Sequence, residues 1–319
     1  MKLPNRAGFY IAERRRGYVA WSMALRVVRM RTGKLTTRNG CLPWLFLGPS
    51  LLGFALFYLL PFVTGFYYSL VDSPLHGTFV GLHNYGALLK NPSFLLALGN
   101  TAKFTLICVP LNLILSLGVA LLLNQKIQGR NLFRTIMITP LVVPVASVVL
   151  VWQAFFDLNG VLNSLLHALG YPPVDWMKSN WSRMVVLAVY LWKNIGYSVI
   201  LFLAGLQNIP AEYYEAARMD GAGRRQEFFR ITLIYLTPTT FFVFIISIIN
   251  SFKVFRETYL ISGDYPYNSI YMLQHYMNNM FMALDYQKLT SAAFIMAAFI
   301  VAVVLLLFIV ERKITNLIN

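Results

Sequence analysis

Charged residues are scarce in this chain of 319 residues: they make up 12%, against 58% hydrophobic residues. A soluble globular domain carries about 25% charged residues, so the composition excludes a protein whose whole surface faces water. Acidic residues are the scarcest, 12 against 27 Lys and Arg, which gives a formal net charge of +15. In a soluble protein this excess would suggest nucleic-acid binding. Here the basic residues flank apolar runs, so we expect a lipid bilayer and no nucleic acid as the partner.

Residues that carry chemistry are also few. The two cysteines, Cys41 and Cys108, lie in or beside apolar runs, which is typical of buried small side chains rather than of a disulfide. The four histidines lack metal-ligand spacing. Thr32-Gly33-Lys34 lacks the upstream glycine of a phosphate-binding loop, and no zinc-protease pair or Gly-x-Ser-x-Gly elbow is present. We therefore expect no catalytic residue, metal or cofactor in this chain, and no enzymatic activity of its own.

Long apolar runs are what the sequence has in abundance, and its mean hydropathy is +0.60. A membrane-spanning helix needs about 20 apolar residues, and six runs meet this length. The loops predicted to be inside are basic and the outer loops are sparsely charged, so the positive-inside rule predicts that both termini are cytoplasmic. The sequence predicts an all-α, polytopic membrane domain over residues 42–319, with spans at about 43–70, 100–123, 136–156, 184–206, 231–255 and 291–310.

Residues 1–41 are predicted to form a basic cytoplasmic tail, in which Glu13 is the only acidic residue. No short apolar core with a cleavage site follows the first charges, so we do not expect a cleavable signal peptide. Between about Tyr10 and Met30, Trp21, Leu25, Val27 and Val28 are mixed with arginines, which is compatible with an amphipathic helix on the cytoplasmic leaflet. A disordered tail and an over-long start are the alternatives.

The densest charged stretch between two apolar runs covers residues 208–238. Its charges cannot all lie in hydrocarbon, because each would cost about 3 kcal/mol or more there. We therefore expect it outside the bilayer. Asn208 is expected to cap a short helix, and Pro210 suits the first helical turn. Gly221 is expected to end this helix, since glycine adopts the left-handed conformation at little cost.

The residue spacing in this loop is distinctive. Glu215-Ala216-Ala217 is followed after three residues by Gly221 and after nine more by Ile231-x-Leu233. This pattern resembles the EAA loop of ATP-binding-cassette (ABC) importer permeases. Its continuation through Asp220-Gly-Ala-Gly resembles the carbohydrate branch, the family of maltose-, lactose- and glycerol-phosphate-type permeases. Ile234 is a departure, because the family usually has proline there.

The resemblance implies the six-helix fold of type I ABC importer permeases, placed in the bacterial cytoplasmic membrane. It also implies a sugar or oligosaccharide as the solute, ATP and Mg²⁺ on separate ATPase subunits, and three kinds of partner: a second homologous permease, two ATPases and an extracytoplasmic solute-binding protein. The loop at residues 207–230 would couple transport to the ATPases through Tyr214, Glu215, Ala216, Ala217, Asp220 and Gly221. The alternative for Glu215 is a solvated helix charge paired with Arg218.

Polar side chains inside the predicted spans are candidates for contact with the solute, because they are costly in a bilayer. A sugar needs aromatic faces for stacking and amide or charged groups for its hydroxyls. The candidates are Tyr190, Lys193, Asn194 and Tyr197 in the fourth span and Asn250, Ser251, Lys253 and Arg256 near the end of the fifth. Alternatively, each of them bonds to a neighbouring helix or extends to the interface.

Two further functions are compatible with a chain of six spans. The first is an ABC importer permease for a solute other than a sugar. The second is an ion-coupled carrier or a membrane-embedded enzyme. A carrier should have acidic residues within its spans, and every Asp and Glu is predicted to lie in a loop or at a span end. An embedded enzyme should have paired catalytic residues at one depth, and the sequence has none.

Overall fold

The computed structural model describes residues 42–125 and 127–318. The predicted tail at residues 1–41, including Cys41 and Thr32-Gly33-Lys34, lies outside the described residues. The chain divides into two compact units, one ending at Gly65 and the other beginning at Phe66. Within the described residues the regular secondary structure is helical apart from one antiparallel bridge between Val71 and Phe79, and turns and loops connect the helices.

The first helix, α1, consists of Leu42–Phe54, a π-helical turn at Ala55–Leu59, and Leu60–Ser69. In the wide turn, the amide of Leu60 donates to the carbonyl of Ala55, five residues earlier. This turn ends two residues before Pro61, which has no amide hydrogen and disturbs the regular hydrogen-bond ladder.

The second unit contains the remaining helices. They are α2 (His83–Leu88), α3 (Pro92–Asn124), α4 (Arg130–Val142), α5 (Val145–Phe156), α6 (Val161–Ala168), α7 (Ser182–Gln207), α8 (Ala211–Met219), α9 (Arg224–Glu227, a π turn at Phe228–Thr232, and Leu233–Tyr235), α10 (Thr237–Phe252), α11 (Phe255–Ser262), α12 (Leu273–Met282) and α13 (Tyr286–Ile318). A 3₁₀ turn at Asn268–Ile270 precedes α12.

Six helical stretches in the described residues are long and apolar enough to cross a membrane. They are Phe46–Ser69, Pro92–Asn124, Val145–Ala168, Ser182–Gln207, Thr237–Ser262 and Tyr286–Lys313. The predicted all-α fold with six spans is therefore confirmed.

Two predicted spans differ in detail from the helices. The stretch predicted at 136–156 is interrupted between α4 and α5, where Val143 is extended because it precedes Pro144. In the fifth, the main helix starts at Thr237 and helical structure resumes after a break at Lys253-Val254 and runs to Ser262. Glu257, predicted to lie in an outer loop, thus belongs to α11, inside a candidate span.

The core of the second unit lies between α3, α7 and α10. Apolar side chains of these helices form two buried clusters, and Cys108 of α3 is fully buried, as predicted. Asn112 joins the three helices, since its amide nitrogen donates to Ser198 Oγ at 2.9 Å and to Ser247 Oγ at 3.0 Å. These helices therefore share polar as well as apolar contacts.

Helix α4 packs against α7 at Gly196. A Cβ atom added to Gly196 would lie 1.6 Å from the carbonyl oxygen of Met137, so the backbones of the two helices approach as closely as glycine allows.

Candidate functional site

The first candidate site is α8, Ala211–Met219, which we call the loop helix. Pro210, with ψ near 133°, occupies its N-cap position, and the loop helix begins at the next residue. Asn208 instead ends α7, where its amide donates to the carbonyls of Gly205 and Leu206. The predicted N-cap at Asn208 is therefore wrong, because the extended conformation at Pro210 separates Asn208 from the loop helix.

The C-terminal end of the loop helix is set by Gly221. Its φ is 77°, in the left-handed region, and its amide donates to the carbonyl of Arg218 at 3.0 Å. The amide of Ala222 donates to the carbonyl of Ala217 at 2.9 Å. These two bonds form a Schellman motif, in which glycine is the residue that adopts the left-handed conformation with least strain. The predicted helix stop at Gly221 is confirmed.

The loop helix has an outward face and an inward face. Glu215, Ala216 and Asp220 are exposed, whereas Tyr214 and Ala217 are half-buried. Met219, on the outward face, is 88% exposed. Glu215 has no ion-pair partner among the residues that the structure describes, and Arg218, its predicted alternative partner, pairs elsewhere.

The inward face binds the segment that follows the loop helix. Tyr214 Oη lies 2.9 Å from Thr232 Oγ1. The rings of Tyr213 and Tyr235 have centroids 4.9 Å apart. These contacts attach the loop helix to α9, which continues into α10.

Arg218 and Glu227 form the charged contact of this face. Arg218 Nε donates to Glu227 Oε1 at 2.7 Å, and a longer contact of 3.5 Å joins Arg218 Nη2 to Glu227 Oε2. Glu227 is buried, with 9% of its surface exposed. The hydrogen bond from Arg218 lowers the pKa of the Glu227 carboxyl, and the same bond raises the pKa of Arg218. Both groups are therefore ionised at neutral pH.

The second candidate site is a cavity of about 130 Å³ between α4, α7, α10 and α11. Its lining combines two apolar side chains with aromatic, amide and charged ones: Leu141, Tyr190, Lys193, Asn194, Asn250, Lys253, Val254 and Glu257. Five of the eight predicted solute-contact candidates thus meet around one cavity: Tyr190, Lys193, Asn194, Asn250 and Lys253.

Hydrogen bonds fix the cavity wall. Tyr190 Oη donates to the carbonyl of Ser247 at 2.9 Å. The Asn194 amide nitrogen donates to the carbonyl of Tyr190 at 2.8 Å, and its oxygen accepts from Asn250 at 3.0 Å. The amide groups of Asn194 and Asn250 are thereby oriented before any solute enters, which lowers the entropic cost of binding.

An ion pair between Lys193 and Glu257 completes the wall. The Glu257 side chain is 7% exposed and that of Lys193 is 24% exposed. Burying either charge alone would be costly, so the two charges are accommodated here as a pair. Lys253, which is exposed, also faces the cavity and has no ion-pair partner in the described part of the chain.

The other predicted candidates lie elsewhere. Ser251 is fully buried, and its hydroxyl lies 2.9 Å from that of Thr105 and donates to the carbonyl of Ile248. Tyr197 is 37% exposed and, like Arg256, is not part of the cavity lining. For Ser251, the alternative of a bond to a neighbouring helix describes the observed contact.

Sequence reasoning missed Glu257 and Asn112. Glu257 was predicted to lie in an outer loop, although the need of Lys193 for a counter-charge within a span was a usable signal. Asn112 is not among the predicted candidates, although an amide in the middle of the second predicted span satisfies the same criterion as Asn194.

Comparison with known proteins gives one family. Residues 112–316 match the family model described as binding-protein-dependent transport system inner membrane component. The arabinooligosaccharides transport system permease protein AraP of Bacillus subtilis is 36% identical over 228 residues, which cover 69% of this chain and 71% of that protein. The trehalose/maltose transport system permease protein MalF of Thermococcus litoralis is 34% identical over 240 residues, or 74% and 81% of the two chains.

A solved structure has the same fold. A chain of the bacterial alginate ABC transporter, crystallised in complex with a periplasmic protein that holds an alginate pentasaccharide, superposes with a TM-score of 0.75. The match covers 86% of this chain and 95% of that chain at 22% sequence identity.

Proposed function

Because the chain belongs to the family of binding-protein-dependent transport system inner membrane components, we propose that it imports a sugar or oligosaccharide by alternating access. The chain is a multi-pass permease subunit of an ABC transporter in the inner membrane, and it has no nucleotide-binding domain of its own. The transporter works with a periplasmic binding protein and with ATPase partners, which use the ATP. Family membership thus argues against an ion-coupled carrier and against a membrane-embedded enzyme.

The proposed route for energy into this chain is the loop helix. The observation that carries this proposal is the division of the helix into two faces. Its outward face exposes Glu215, Ala216 and Met219, while its inward face is bonded to α9. In the proposed complex, Glu215 makes a charge-assisted contact with a basic residue of an ATPase subunit, and Ala216 permits close approach. Closure of the ATPases around ATP then displaces the loop helix and the attached spans.

The proposed solute-contact site is the cavity between α4, α7, α10 and α11. Its preoriented amides and its tyrosine are groups that bind sugar hydroxyls and ring faces. The proposed substrate class is supported by the relatives, which are named for arabinooligosaccharide and for trehalose/maltose transport. A cavity of about 130 Å³ is smaller than a typical ligand pocket of about 300–1,000 Å³. We therefore propose that a second permease subunit supplies the rest of the translocation path.

The proposed assembly has two permeases and two ATPases. One loop helix serves one ATPase subunit, and two such subunits are needed to enclose ATP between them. A second, homologous permease with its own loop helix satisfies this requirement, and the extracytoplasmic binding protein delivers the solute to the outer face. The predicted cytoplasmic position of residues 207–230 and of both termini belongs to the same proposal.

The coupling role of Glu215 is tested with Glu215→Lys in the complete transporter, reconstituted with its ATPases, second permease and binding protein. Charge reversal should abolish binding-protein-stimulated ATP hydrolysis and weaken association of the ATPase subunit. Glu212→Lys is the matched control, because Glu212 is exposed on the same helix and undergoes the same charge change. Equal hydrolysis in the wild type and the Glu215→Lys variant would remove the coupling assignment.

The substrate class is tested on the binding protein that serves this permease. A thermal-shift panel of neutral oligosaccharides, acidic sugars, amino acids and peptides should show stabilisation by an oligosaccharide. Uptake of that oligosaccharide should then fall in Asn250→Ala, which removes an amide that lines the cavity, and should stay unchanged in Tyr197→Phe, which alters a tyrosine outside it. Stabilisation by an amino acid or a peptide alone would contradict the sugar assignment.

A further inference from the structure

The contact between Arg218 and Glu227 does more than neutralise two charges. We propose that this pair, which we call the clasp, positions the loop helix and keeps Arg218 away from Glu215, so that the Glu215 carboxylate remains available to the ATPase. The inference rests on the coupling role proposed above. It concerns how the loop helix is held and oriented rather than which protein it meets.

The first argument is burial. Glu227 is 9% exposed, and its carboxylate receives Arg218 Nε at 2.7 Å. Most ion pairs between exposed side chains contribute little, because water screens them and long side chains lose freedom. A buried carboxylate differs, since loss of its partner leaves an uncompensated charge away from water. The Arg218 side chain is 65% exposed, so the pair has one fixed end, Glu227, and one end that must reach it.

The second argument is position along the two helices. Arg218 lies in the last turn of the loop helix and Glu227 in the first turn of α9. Each charge is therefore near the helix end that favours it, a cation at the C-terminus and an anion at the N-terminus. The clasp joins the two helices on either side of the turn that contains Gly221, so it restrains the angle between them.

The third argument is competition for Arg218. Glu215 lies three residues before Arg218 on the same helix, a spacing at which opposite charges commonly pair. In the structure Arg218 donates to Glu227 instead, and the effect of Glu215 on the Arg218 pKa is the weakest of the contributions that raise it. Without Glu227, the closest carboxylate on the same helix would be Glu215. Pairing there would neutralise the residue proposed to contact the ATPase.

The clasp also decides which span moves with the loop helix. The three side-chain contacts described for its inward face all lead to residues 227–235, the segment that continues into α10. Helix α10 carries Asn250 of the cavity wall. With the clasp closed, displacement of the loop helix reaches the cavity through α10. With the clasp open, part of the displacement is lost as reorientation of the loop helix about Gly221.

The competition makes a distinctive prediction for paired variants. Glu227→Gln frees Arg218 to pair with Glu215 and should lower binding-protein-stimulated ATP hydrolysis about tenfold, within the usual range of coupling between sites. Adding Arg218→Gln to Glu227→Gln removes the competitor and should recover part of the loss. Arg225→Gln is the matched control, since Arg225 is exposed in the same segment and has no ion-pair partner among the described residues.

A distance measurement reads the position of the helix directly. In the complete transporter in nanodiscs, with Cys41 replaced by serine, nitroxide labels are attached through Ala211→Cys and Phe229→Cys, whose native side chains are exposed. The distance distribution should be narrow in this background and with Arg225→Gln, and broad in Glu227→Gln and in the double variant. A fold defect alone would not produce recovery of hydrolysis in the double variant.

The outcomes separate the clasp from the coupling role. If Glu227→Gln matches Arg225→Gln in both hydrolysis and distance distribution while Glu215→Lys is inactive, the clasp is wrong and the coupling role stands. If Glu215→Lys is fully active, the coupling role is wrong. A double variant as inactive as Glu227→Gln would contradict the competition for Arg218.

Discussion

At the scale of single residues, Gly221 is required for its backbone and not for the space it leaves. An added Cβ would have no atom within 4 Å, so steric exclusion does not explain the glycine. Its φ of 77° does, because a residue with a Cβ is strained by about 1–2 kcal/mol in the left-handed conformation. Asparagine tolerates this conformation better than other residues.

This difference gives a graded test. Gly221→Val should shift the loop helix and reduce association of the ATPase subunit with the reconstituted permease, whereas Gly221→Asn should retain most of it. Affinity is measured by titration of labelled ATPase subunit against permease in nanodiscs. Equal affinities of the Val and Asn variants would show that the left-handed conformation at residue 221 is not needed.

At the same scale, Lys193 and Glu257 each provide the counter-charge that the other needs. Lys193→Met should leave the Glu257 carboxylate buried without a partner, and Glu257→Gln should leave Lys193 unpaired. Each single change should destabilise the protein by about 3 kcal/mol. The double variant Lys193→Met/Glu257→Gln should be more stable than either single variant, because no charge remains to be buried. Unfolding midpoints in detergent measure the cycle, and additive losses would exclude a direct interaction.

At the scale of helices, the contact between α4 and α7 is a backbone contact. Gly196→Ala should force the two helices apart, because its Cβ would lie 1.6 Å from the Met137 carbonyl oxygen. We expect a loss of about 3 kcal/mol or more. Gly118→Ala in α3 is the control, since no atom lies within 4 Å of the added Cβ and alanine favours a helix over glycine by about 1 kcal/mol.

Thermal unfolding of the purified permease compares these two substitutions directly. The Gly118→Ala midpoint should equal or exceed that of the wild type, and the Gly196→Ala midpoint should fall by several degrees. An unchanged midpoint for Gly196→Ala would mean that α4 does not pack on α7 at this position.

The helices that local signals specify are those that the sequence predicts well. The end of the loop helix at Gly221 is an example. Its left-handed φ and its Schellman hydrogen bonds involve only residues close in sequence, so the local sequence is sufficient to predict it. Glu257 is different, since its position in α11 depends on Lys193, which is 64 residues away in the chain. No pattern in the local sequence around either residue predicts this ion pair. Hydropathy instead ends the predicted span before Glu257, and this places the Glu257 carboxylate in an outer loop.

The residues that line the cavity are also only partly predictable from the sequence. Polarity within a span identified Tyr190, Lys193, Asn194 and Asn250, which line the cavity, but it also identified Tyr197 and Ser251, which do not. Which face of a helix meets a cavity depends on how helices pack. Asn194 and Tyr197 lie one turn apart on α7, yet Asn194 lines the cavity and Tyr197 does not. Packing is a property of several helices together, and residue type alone does not contain it.

At the scale of the whole molecule, the polar contacts form a path through the second unit. The loop helix is bonded to α9, α9 continues into α10, and α10 is joined to α7 through Asn250 and Asn194 and to α3 through Ser247 and Asn112. Helices linked in this way can move as one body, which a permease that alternates between two openings requires. The cavity lies along this path rather than at its end.

The stability of the whole molecule should depend on pH through His275 of α12. This side chain is fully buried, Met272 donates its amide hydrogen to Nδ1 at 3.4 Å, and Nε2 has no hydrogen-bond partner in the described part of the chain. Burial lowers the pKa of His275 to about 4, partly offset by Asp264. An unfolded histidine has a pKa of about 6.5.

Because the folded pKa is the lower one, the unfolded state binds more protons between these values. Stability is therefore fully present above pH 6.5 and decreases as the pH falls towards 4, by about 3 kcal/mol in total. Unfolding midpoints in detergent from pH 7.5 to pH 4.5 should decline in the wild type and in His83→Gln, which removes an exposed histidine. In His275→Asn the midpoint should start lower and decline less steeply over this range. A slope in His275→Asn equal to that of the wild type would assign the pH dependence to other groups.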